Sequence, residues 1–336
     1  MRIKDAIKEV VQFKDLSVED AYEVASEIMN GNATTSQISA LLISLRMKGE
    51  TVDELTGFVK VMREKAVSIP CNKKDVIDTC GTGGDGKHTF NISTIAALVA
   101  AGAGCTVAKH GNRSISSICG SADLLEYLGV YLENSPEQVA QSIDKIGIGF
   151  LYAPILHRAM RYAAGPRREL GIRTIFNILG PLTNPAGARR QLIGIFDRRF
   201  TTLVAQVLSR CGAEHVMVVH GEDGLDEITN TGRTYVSEFC NGTVKNYTIC
   251  PEDFGMQRVK LETIQVATIE ENIESALKVL NREEGPKRDI VLLNAGAAIY
   301  ISGKARNLKE GIELARASID SGKALECLEM LRMMNA

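Results

Sequence analysis

Three features are missing from this sequence of 336 residues, and each absence excludes a class of protein. The eight cysteines, spread from Cys71 to Cys327, include no CxxC pair, which argues against a zinc site or a redox motif and indicates reduced, mostly buried thiols. No run of about 18 apolar residues is present to span a membrane, and the charged first residues contain no apolar signal region. Basic and acidic residues nearly cancel, 39 against 41, so no overall field attracts nucleic acid or an anionic membrane. We therefore expect a cytoplasmic enzyme that binds anions only locally.

The first seventy residues have the pattern of a small helical domain. Apolar residues recur every three to four positions, and capping patterns begin at Ser17, Thr34 and Thr51. Gly31 and Gly49 follow the second and third predicted helices, where glycine readily ends a helix. The sequence predicts a helical domain over residues 1–70, whose apolar faces form its core and, where exposed, a dimer interface.

Residues 71–336 show a different pattern, in which short β-branched runs alternate with alanine-rich segments. Buried strands are predicted at residues 76–78, 105–108, 215–219 and 289–293, and a helix at residues 94–101. The chain is therefore predicted to be α/β, with a small N-terminal helical domain plus a larger α/β domain with a mostly parallel central sheet. Residues 152–184, rich in proline and arginine, are interpreted as an excursion from the sheet towards the helical domain.

A glycine-rich segment, residues 78–94, lies between a predicted strand and a predicted helix. Glycines let backbone N–H groups approach an anion and the helix N-terminus adds partial positive charge, so phosphate is the expected ligand. The dinucleotide motif GxGxxG requires an acidic residue about twenty positions later, but none lies between Asp85 and Asp123. The P-loop motif requires Ser or Thr directly after Lys87, where His88 stands. Both common motifs are therefore rejected.

A second loop, residues 109–117, follows the next predicted strand and should lie at the same edge of the sheet. It combines Lys109 and Arg113 with a row of hydroxyls, and Ser121 lies just beyond. An isolated basic pair is usually a solvated surface feature, whereas small polar neighbours at a strand end favour a second anion site. Two such loops predict a polyphosphate ester as the ligand.

A third loop, residues 221–229, follows the strand predicted at residues 215–219 and contains the adjacent carboxylates Asp226 and Glu227. Two neighbouring carboxylates repel each other unless solvent or a cation separates them. Mg²⁺ that bridges protein carboxylates to substrate phosphates meets this need. Taken on its own, the local pattern favours an acidic surface turn over a metal site.

Together these motifs resemble one family. The segments that carry the resemblance are GTGGDG at residues 81–86, TFNIST at 89–94, KHGNRS at 109–114, GSAD at 120–123 and RTIFNILGPLTNP at 173–185. In this order, and over nearly the whole chain, the sequence resembles the anthranilate phosphoribosyltransferases. The resemblance implies a Mg²⁺-dependent, homodimeric enzyme of tryptophan biosynthesis, which transfers the phosphoribosyl group of phosphoribosyl pyrophosphate (PRPP) to the amine of anthranilate.

The resemblance also implies which residues form the site. The implied PRPP-binding residues are Gly81, Gly84, Asp85, Thr89, Asn91, Ile92, Ser93, Thr94, Lys109, His110, Gly111, Asn112, Arg113, Ser114, Ile115, Ser116, Ser117 and Ser121. The implied magnesium ligands are Ser93, Asp226 and Glu227, and anthranilate is assigned to Gly81, Asn112 and Arg167. Some members have Pro-Val-Arg where this chain has Gly-Pro-Arg-Arg at residues 165–168, so Arg168 is the alternative carboxylate contact.

The implied chemistry needs positioning more than proton transfer. An aromatic amine is neutral at cellular pH, and no obvious His–carboxylate pair offers a general base. Lys109, Mg²⁺ and the amides of residues 81–86 would stabilise the leaving pyrophosphate, while His110 would help to orient a substrate. Two alternatives are a pyrimidine nucleoside phosphorylase, which usually carries a Lys-His-Ser-Thr-Gly-Gly type of loop, and a non-catalytic nucleic-acid-binding relative, which should show an extended basic face.

Overall fold

The N-terminal part of the chain is a bundle of four helices. The computed structural model describes residues 1–114 and 118–334. The helices are α1 Ile3–Val10, α2 Val18–Met29, α3 Thr35–Lys48 and α4 Val52–Lys65. Thr34 and Thr51 each form a reciprocal capping box, and the Ser17 hydroxyl accepts a hydrogen bond from the first turn of α2. The predicted helix starts are confirmed.

The remainder is built around one sheet. In the described ranges its seven strands are β1 Val76–Gly81, β2 Thr106–Gly111, β3 Ile148–Tyr152, β4 Arg190–Gly194, β5 His215–Gly221, β6 Thr234–Cys240 and β7 Thr243–Ile249. The accompanying helices are α5 Ile92–Gly102, α6 Ser121–Tyr127, α7 Pro136–Ile146, α8 Ala153–Leu156, α9 Arg161–Leu170, α10 Ile175–Leu179, α11 Thr201–Arg210, α12 Ile269–Leu280, α13 Pro286–Ile301, α14 Leu308–Asp320 and α15 Lys323–Met333.

The sheet has the order β3-β2-β1-β4-β5-β6-β7. The first five strands in that order are parallel, and β6 and β7 are added antiparallel. A small helical bundle with a mostly parallel central sheet was predicted, and this fold class is confirmed. The parallel arrangement brings the carboxyl ends of β1, β2, β4 and β5 to one edge, where ligands of open α/β sheets bind.

Side chains alternate between two hydrophobic clusters on the faces of the sheet. Leu192 and Met217 face a cluster that includes residues of α5 and α13, whereas Ile193 and Val218 face the cluster that contains α11 and the N-terminal helices. α9 contacts α2 and α3, and α10 contacts α3 and α4. The helical bundle therefore packs against the sheet through continuous apolar surface. Among the described residues, no helix is long and apolar enough to cross a membrane.

One predicted strand is wrong. Residues 289–293 lie inside α13, a helix of 16 residues that begins with Pro286. Twelve of its residues are buried because α13 packs against α5, α14 and the sheet. A helix buried on nearly all sides presents an unbroken apolar run, the same signal as a buried strand. Strands β3, β4, β6 and β7 were not predicted.

Candidate active site

The three predicted loops meet at the carboxyl edge of the sheet. The Gly83 N–H donates to Asp226 Oδ2 at 2.7 Å, which joins the glycine-rich loop to the acidic loop. Lys109 Nζ lies 3.3 Å from Ser93 Oγ and donates to it, which joins the end of β2 to the start of α5. The second loop was predicted to lie at the same edge as the first, and it does so; the acidic loop lies there as well.

The glycine-rich loop, residues 81–86, is held against β4. Thr82 donates its N–H to Gly194 O at 3.0 Å and accepts from the Phe196 N–H at 3.1 Å. Gly83 and Gly84 have φ of +67° and +73°, a region that other residues seldom adopt. At Gly81, an added Cβ would lie 2.3 Å from Asp226 Oδ2. Gly83 and Gly84 thus allow the backbone conformation of the loop, whereas Gly81 allows the loop to lie close to Asp226.

Lys109 supplies the buried positive charge of the site. Its side chain is 3% exposed, and Nζ also donates to the carbonyl oxygen of Thr79. Its charge lies close enough to Asp78 and Glu227 to lower the pKa of each carboxyl, against the larger effect of burial. Since Nζ has three donor positions and two are used within the protein, one is left for a ligand.

The acidic pair carries more negative charge than its neighbours offset. Burial first, and then the charge of Asp85, raise the pKa of Asp226 to about 7. Burial and the charge of Asp226 raise the pKa of Glu227, although its side chain keeps some exposed surface. Within residues 1–114 and 118–334, no three His, Cys, Asp or Glu side chains are grouped as ligands of one metal ion. The donor set of two adjacent carboxylates, Asp226 buried and Glu227 partly exposed, nevertheless suits a hard divalent cation.

The residues around the start of α5 differ in how their polar groups are held. Asn91 and Asn272 exchange hydrogen bonds of 2.7 and 3.2 Å, which fix the Asn91 amide. Thr94 is buried and its hydroxyl has no hydrogen-bond partner among the described residues. Ile92 is 1% exposed, so its side chain belongs to the core and only its backbone can serve a ligand. Thr89 pairs with Gln265 in an isolated bridge.

The loop after β2 is only partly described. Gly111 lies so close to Ser121 that an added Cβ would be 2.2 Å from its hydroxyl oxygen, and that hydroxyl accepts from the Asn112 N–H at 3.2 Å. The Ser114 N–H donates to Asp123 Oδ2 at 3.0 Å. Three predicted PRPP-binding residues, Ile115, Ser116 and Ser117, lie outside the described residues.

The Arg113 guanidinium faces acidic protein groups. It donates to both Glu126 oxygens at 2.7 and 2.8 Å and to Asp123 at 3.0 Å, and its Nε donates to the Tyr152 hydroxyl. An Arg113 side chain that bound a phosphate would have to leave these partners. The geometry therefore favours a backbone contribution from Arg113.

Two neutral histidines lie side by side, His110 in β2 and His157 directly after α8. His110 and His157 have ring centroids 5.0 Å apart, and the Nε2 atom of each is buried without a hydrogen-bond partner in the described part of the chain. Burial lowers the pKa of His110 to about 3 and that of His157 to about 4. Sequence reasoning missed His157, because a single histidine in a proline-rich segment carries no local signal.

Arg167 and Arg168 differ in setting. Arg167, on α9, is partly buried, its guanidinium carbon lies 5.6 Å from the Phe176 ring centroid, and burial lowers its pKa. In the described ranges it forms no ion pair. Arg168 is exposed. An arginine that is partly desolvated without a carboxylate partner is suited to bind a ligand carboxylate.

A buried carboxylate beneath the site was also missed. Asp78 is fully buried, accepts from the His110 N–H at 3.1 Å, and accepts from Asn184 Nδ2 at 2.8 Å. The same amide donates to Ala108 O at 2.8 Å. Asp78 and Asn184 thus tie β1 and β2 to the segment that follows α10. Both belong to motifs quoted above, but only the fold shows that they meet.

Comparison with known proteins identifies first a class and then a family. Residues 4–66 match the sequence family described as "Glycosyl transferase family, helical bundle domain", and residues 73–325 match "Glycosyl transferase family, a/b domain". The fold and the site therefore define a two-domain glycosyl transferase.

The anthranilate phosphoribosyltransferase of Symbiobacterium thermophilum is 52% identical over 98% of this chain and 97% of its own length. The crystal structure of anthranilate phosphoribosyltransferase from Thermus thermophilus superposes with a TM-score of 0.92 at 44% identity, covering 98% of this chain and 99% of that one. The Saccharomyces cerevisiae enzyme in complex with PRPP and Mg gives a TM-score of 0.89 at 27% identity, covering 99% and 97%. The chain belongs to the anthranilate phosphoribosyltransferase family, and the predicted resemblance is confirmed.

Proposed function

We propose that this chain transfers the 5-phosphoribosyl group of PRPP to the amine of anthranilate, giving N-(5-phosphoribosyl)anthranilate and pyrophosphate in tryptophan biosynthesis. One observation carries the proposal: the glycine-rich loop, the buried Lys109 and the Asp226–Glu227 pair meet at one edge of the sheet. Such a site combines anion donors with carboxylates for a cation, which a pyrophosphate substrate requires.

PRPP is assigned to the edge formed by residues 81–86, the start of α5 and the loop after β2. In the described ranges, the N–H groups of Gly84, Asp85 and Gly86 make no hydrogen bond within the protein, so they are available to a pyrophosphate. The remaining donor of Lys109 stabilises charge that develops on the leaving group. Ser114 to Ser117 and Ser121 stay assigned to PRPP on the resemblance alone.

Magnesium is assigned to Asp226, Glu227 and Ser93. Burial, and then neighbouring negative charge, raise the pKa of both carboxyls, which a bound cation would counter. The backbone N–H of Ser93 is near enough to Glu227 to lower the pKa of that carboxyl. When bound, Mg²⁺ supplies charge neutralisation for the pyrophosphate. The yeast relative that was solved with PRPP and Mg supports the assignment.

Anthranilate is assigned to Gly81, Asn112 and Arg167, with His110 as an orienting group. The partly buried, ion-pair-free Arg167 is preferred to the exposed Arg168 as the carboxylate partner. Neutral His110 adds no competing positive charge and can orient the aromatic acid. Gly81 and Asn112 complete the assignment, because Gly81 ends β1 and Asn112 directly follows β2 at the same edge.

In the reaction, the neutral amine attacks C1 of the ribose, the C1–O bond to pyrophosphate breaks, and one amine proton leaves. The chain's own residues position the two substrates, exclude water and stabilise the departing anion. His110 and His157 both have a lowered pKa and no carboxylate partner in the described chain, so neither resembles an oriented general base.

We further propose a cytoplasmic homodimer and a division into residues 1–70 and 71–336, with residues 152–184 as an excursion towards the helical domain. Three large apolar side chains of the helical part, Val11, Phe13 and Met47, are 55%, 66% and 72% exposed. Exposed apolar side chains of this size are typical of an interface. Sedimentation at the monomer mass would contradict the dimer.

The direct test is loss of anthranilate fluorescence on incubation with PRPP and Mg²⁺. Turnover is expected with the native chain, and none without metal or after the double replacement of Asp226 and Glu227 by alanine. Failure of the native, folded protein to consume anthranilate would overturn the proposal. Phosphorolysis of a pyrimidine nucleoside under the same conditions would then identify the phosphorylase alternative.

A further inference from the structure

Arg173 is an exposed arginine beside the glycine-rich loop that no step above uses. It lies between α9 and α10, and its Nη2 donates to the carbonyl oxygen of Gly84. Its guanidinium carbon lies 4.2 Å from the Phe196 ring centroid. No carboxylate forms an ion pair with it in the described ranges. The guanidinium is thus committed to the loop and to an aromatic ring.

The loop needs an external support at this point. In the first half of the loop, Thr82 is hydrogen-bonded to the backbone of Gly194 and Phe196. Gly83 is hydrogen-bonded to the Asp226 carboxylate. For the backbone of residues 84–86, the described chain provides one hydrogen bond from outside the loop, the bond from Arg173. Because glycines have wide conformational freedom, that half would otherwise sample many arrangements.

The direction of one carbonyl decides the direction of the next N–H. In a planar trans peptide, the C=O and the following N–H point in opposite directions. An arginine that holds the Gly84 carbonyl on one side therefore turns the Asp85 N–H to the other, and it keeps a carbonyl oxygen from facing a bound anion. We infer that Arg173 is a positioning residue, which acts through Gly84 to hold the pyrophosphate-binding loop ready for PRPP.

Phe196 makes the support rigid. Its backbone N–H holds Thr82 while its ring stacks with the guanidinium, so one residue steadies both halves of the loop. A planar guanidinium can stack and donate at once, whereas a lysine ammonium donates without the same fixed plane. The inference rests on the proposed function, since it concerns the binding of PRPP.

Loss of the support should affect PRPP binding more than turnover. Without Arg173, a smaller fraction of the protein molecules has the loop in the conformation that binds PRPP. The apparent affinity for PRPP falls in proportion to that fraction. Arg173→Ala is expected to raise the KM for PRPP about tenfold, the usual effect of one charge-assisted hydrogen bond. Once PRPP is saturating the loop is ordered by its ligand, so kcat and the KM for anthranilate should change less than about twofold.

The experiment compares four variants with the native chain. Arg173→Ala is matched by Arg198→Ala, another exposed arginine, whose guanidinium carbon lies 3.7 Å from the Tyr235 ring centroid and which makes no hydrogen bond to the loop. Arg173→Lys tests the planar geometry, and Phe196→Leu tests the aromatic support. KM and kcat are measured for both substrates, and PRPP–Mg²⁺ binding is measured by calorimetry without anthranilate.

We expect a selective rise in the KM for PRPP in Arg173→Ala, partial recovery in Arg173→Lys, and native values in Arg198→Ala. Phe196→Leu should also raise the KM for PRPP, by no more than Arg173→Ala does, because it weakens the same support. If Arg173→Ala matched Arg198→Ala, if kcat fell as much as KM rose, or if lysine restored full affinity, the inference would be overturned. An inactive native chain would instead contradict the proposed function.

Discussion

Replacing Asp226 by asparagine should stabilise the ligand-free protein while it abolishes the metal site. In the folded protein the pKa of Asp226 is raised from 3.8 to about 7, which corresponds to an ionisation about 4 kcal/mol less favourable than in the unfolded chain. The amide of Asp226→Asn is neutral, can still accept from the Gly83 N–H, and no longer repels Asp85. Since part of Glu227 is exposed and water can screen the site, the measured gain should be about 1–3 kcal/mol.

The gain should depend on pH. For an acid with a raised folded-state pKa, the unfolded chain releases its proton first, so stability falls as pH rises from about 4 to about 7. Below this window native chain and variant are both neutral at position 226. The difference in the free energy of unfolding should therefore be near zero at pH 4 and largest from pH 7 upwards.

The assay is chemical unfolding without Mg²⁺ or PRPP, followed by circular dichroism at several pH values. Asp5→Asn, a replacement at an exposed aspartate, is the control and should change stability by less than about 0.5 kcal/mol throughout. Adding Mg²⁺ and PRPP should stabilise the native chain but not Asp226→Asn. A variant that is less stable than the native chain at pH 8, or equally more stable at pH 4 and 8, would refute the reasoning.

Three further replacements test other parts of the site. Arg167→Ala should raise the KM for anthranilate by at least about tenfold, because a charge-assisted contact to the carboxylate is lost; an unchanged KM in steady-state kinetics would move the contact to Arg168. Asn184→Ala should lower the free energy of unfolding by about 2 kcal/mol, since it leaves buried Asp78 short of a donor, and an unchanged denaturation midpoint would contradict this. Gly194→Ala would place a Cβ 1.5 Å from the backbone oxygen of Asp226, so the acidic loop must move. We expect a folded protein with kcat/KM reduced at least about a hundredfold. Near-native activity would show that the position of the acidic loop is not critical.

The sequence predicted the fold class well because its signals are local. Capping residues at Thr34 and Thr51 and glycine stops act within a few residues of themselves, and the structure has the helices there. Strands β4 and β7 gave no such signal. In β7 most side chains are exposed, and β4 is only five residues long. The apolar run at residues 289–293 was predicted as a strand because α13 is buried on nearly every side and so lacks the polar face of a surface helix.

The site was predictable where a motif forms a loop and unpredictable where distant segments meet. Lys109, Asp226 and the glycines lie at or just beyond the ends of strands, and parallel topology brings strand ends together. Asp78 and Asn184 are 106 residues apart, and Arg173 is 89 residues from Gly84. Their contacts depend on how the segment after β3 returns to the sheet, which no local pattern specifies.

The most direct test of the account is simultaneous measurement of the two products. Native chain, PRPP, anthranilate and Mg²⁺ should yield phosphoribosylanthranilate and pyrophosphate in equal amounts, identified by mass spectrometry and a coupled pyrophosphate assay. Neither should form when anthranilate or metal is omitted. Pyrophosphate released without anthranilate, or anthranilate left unchanged by a folded protein, would contradict the central claim that this edge of the sheet holds PRPP for attack by an aromatic amine.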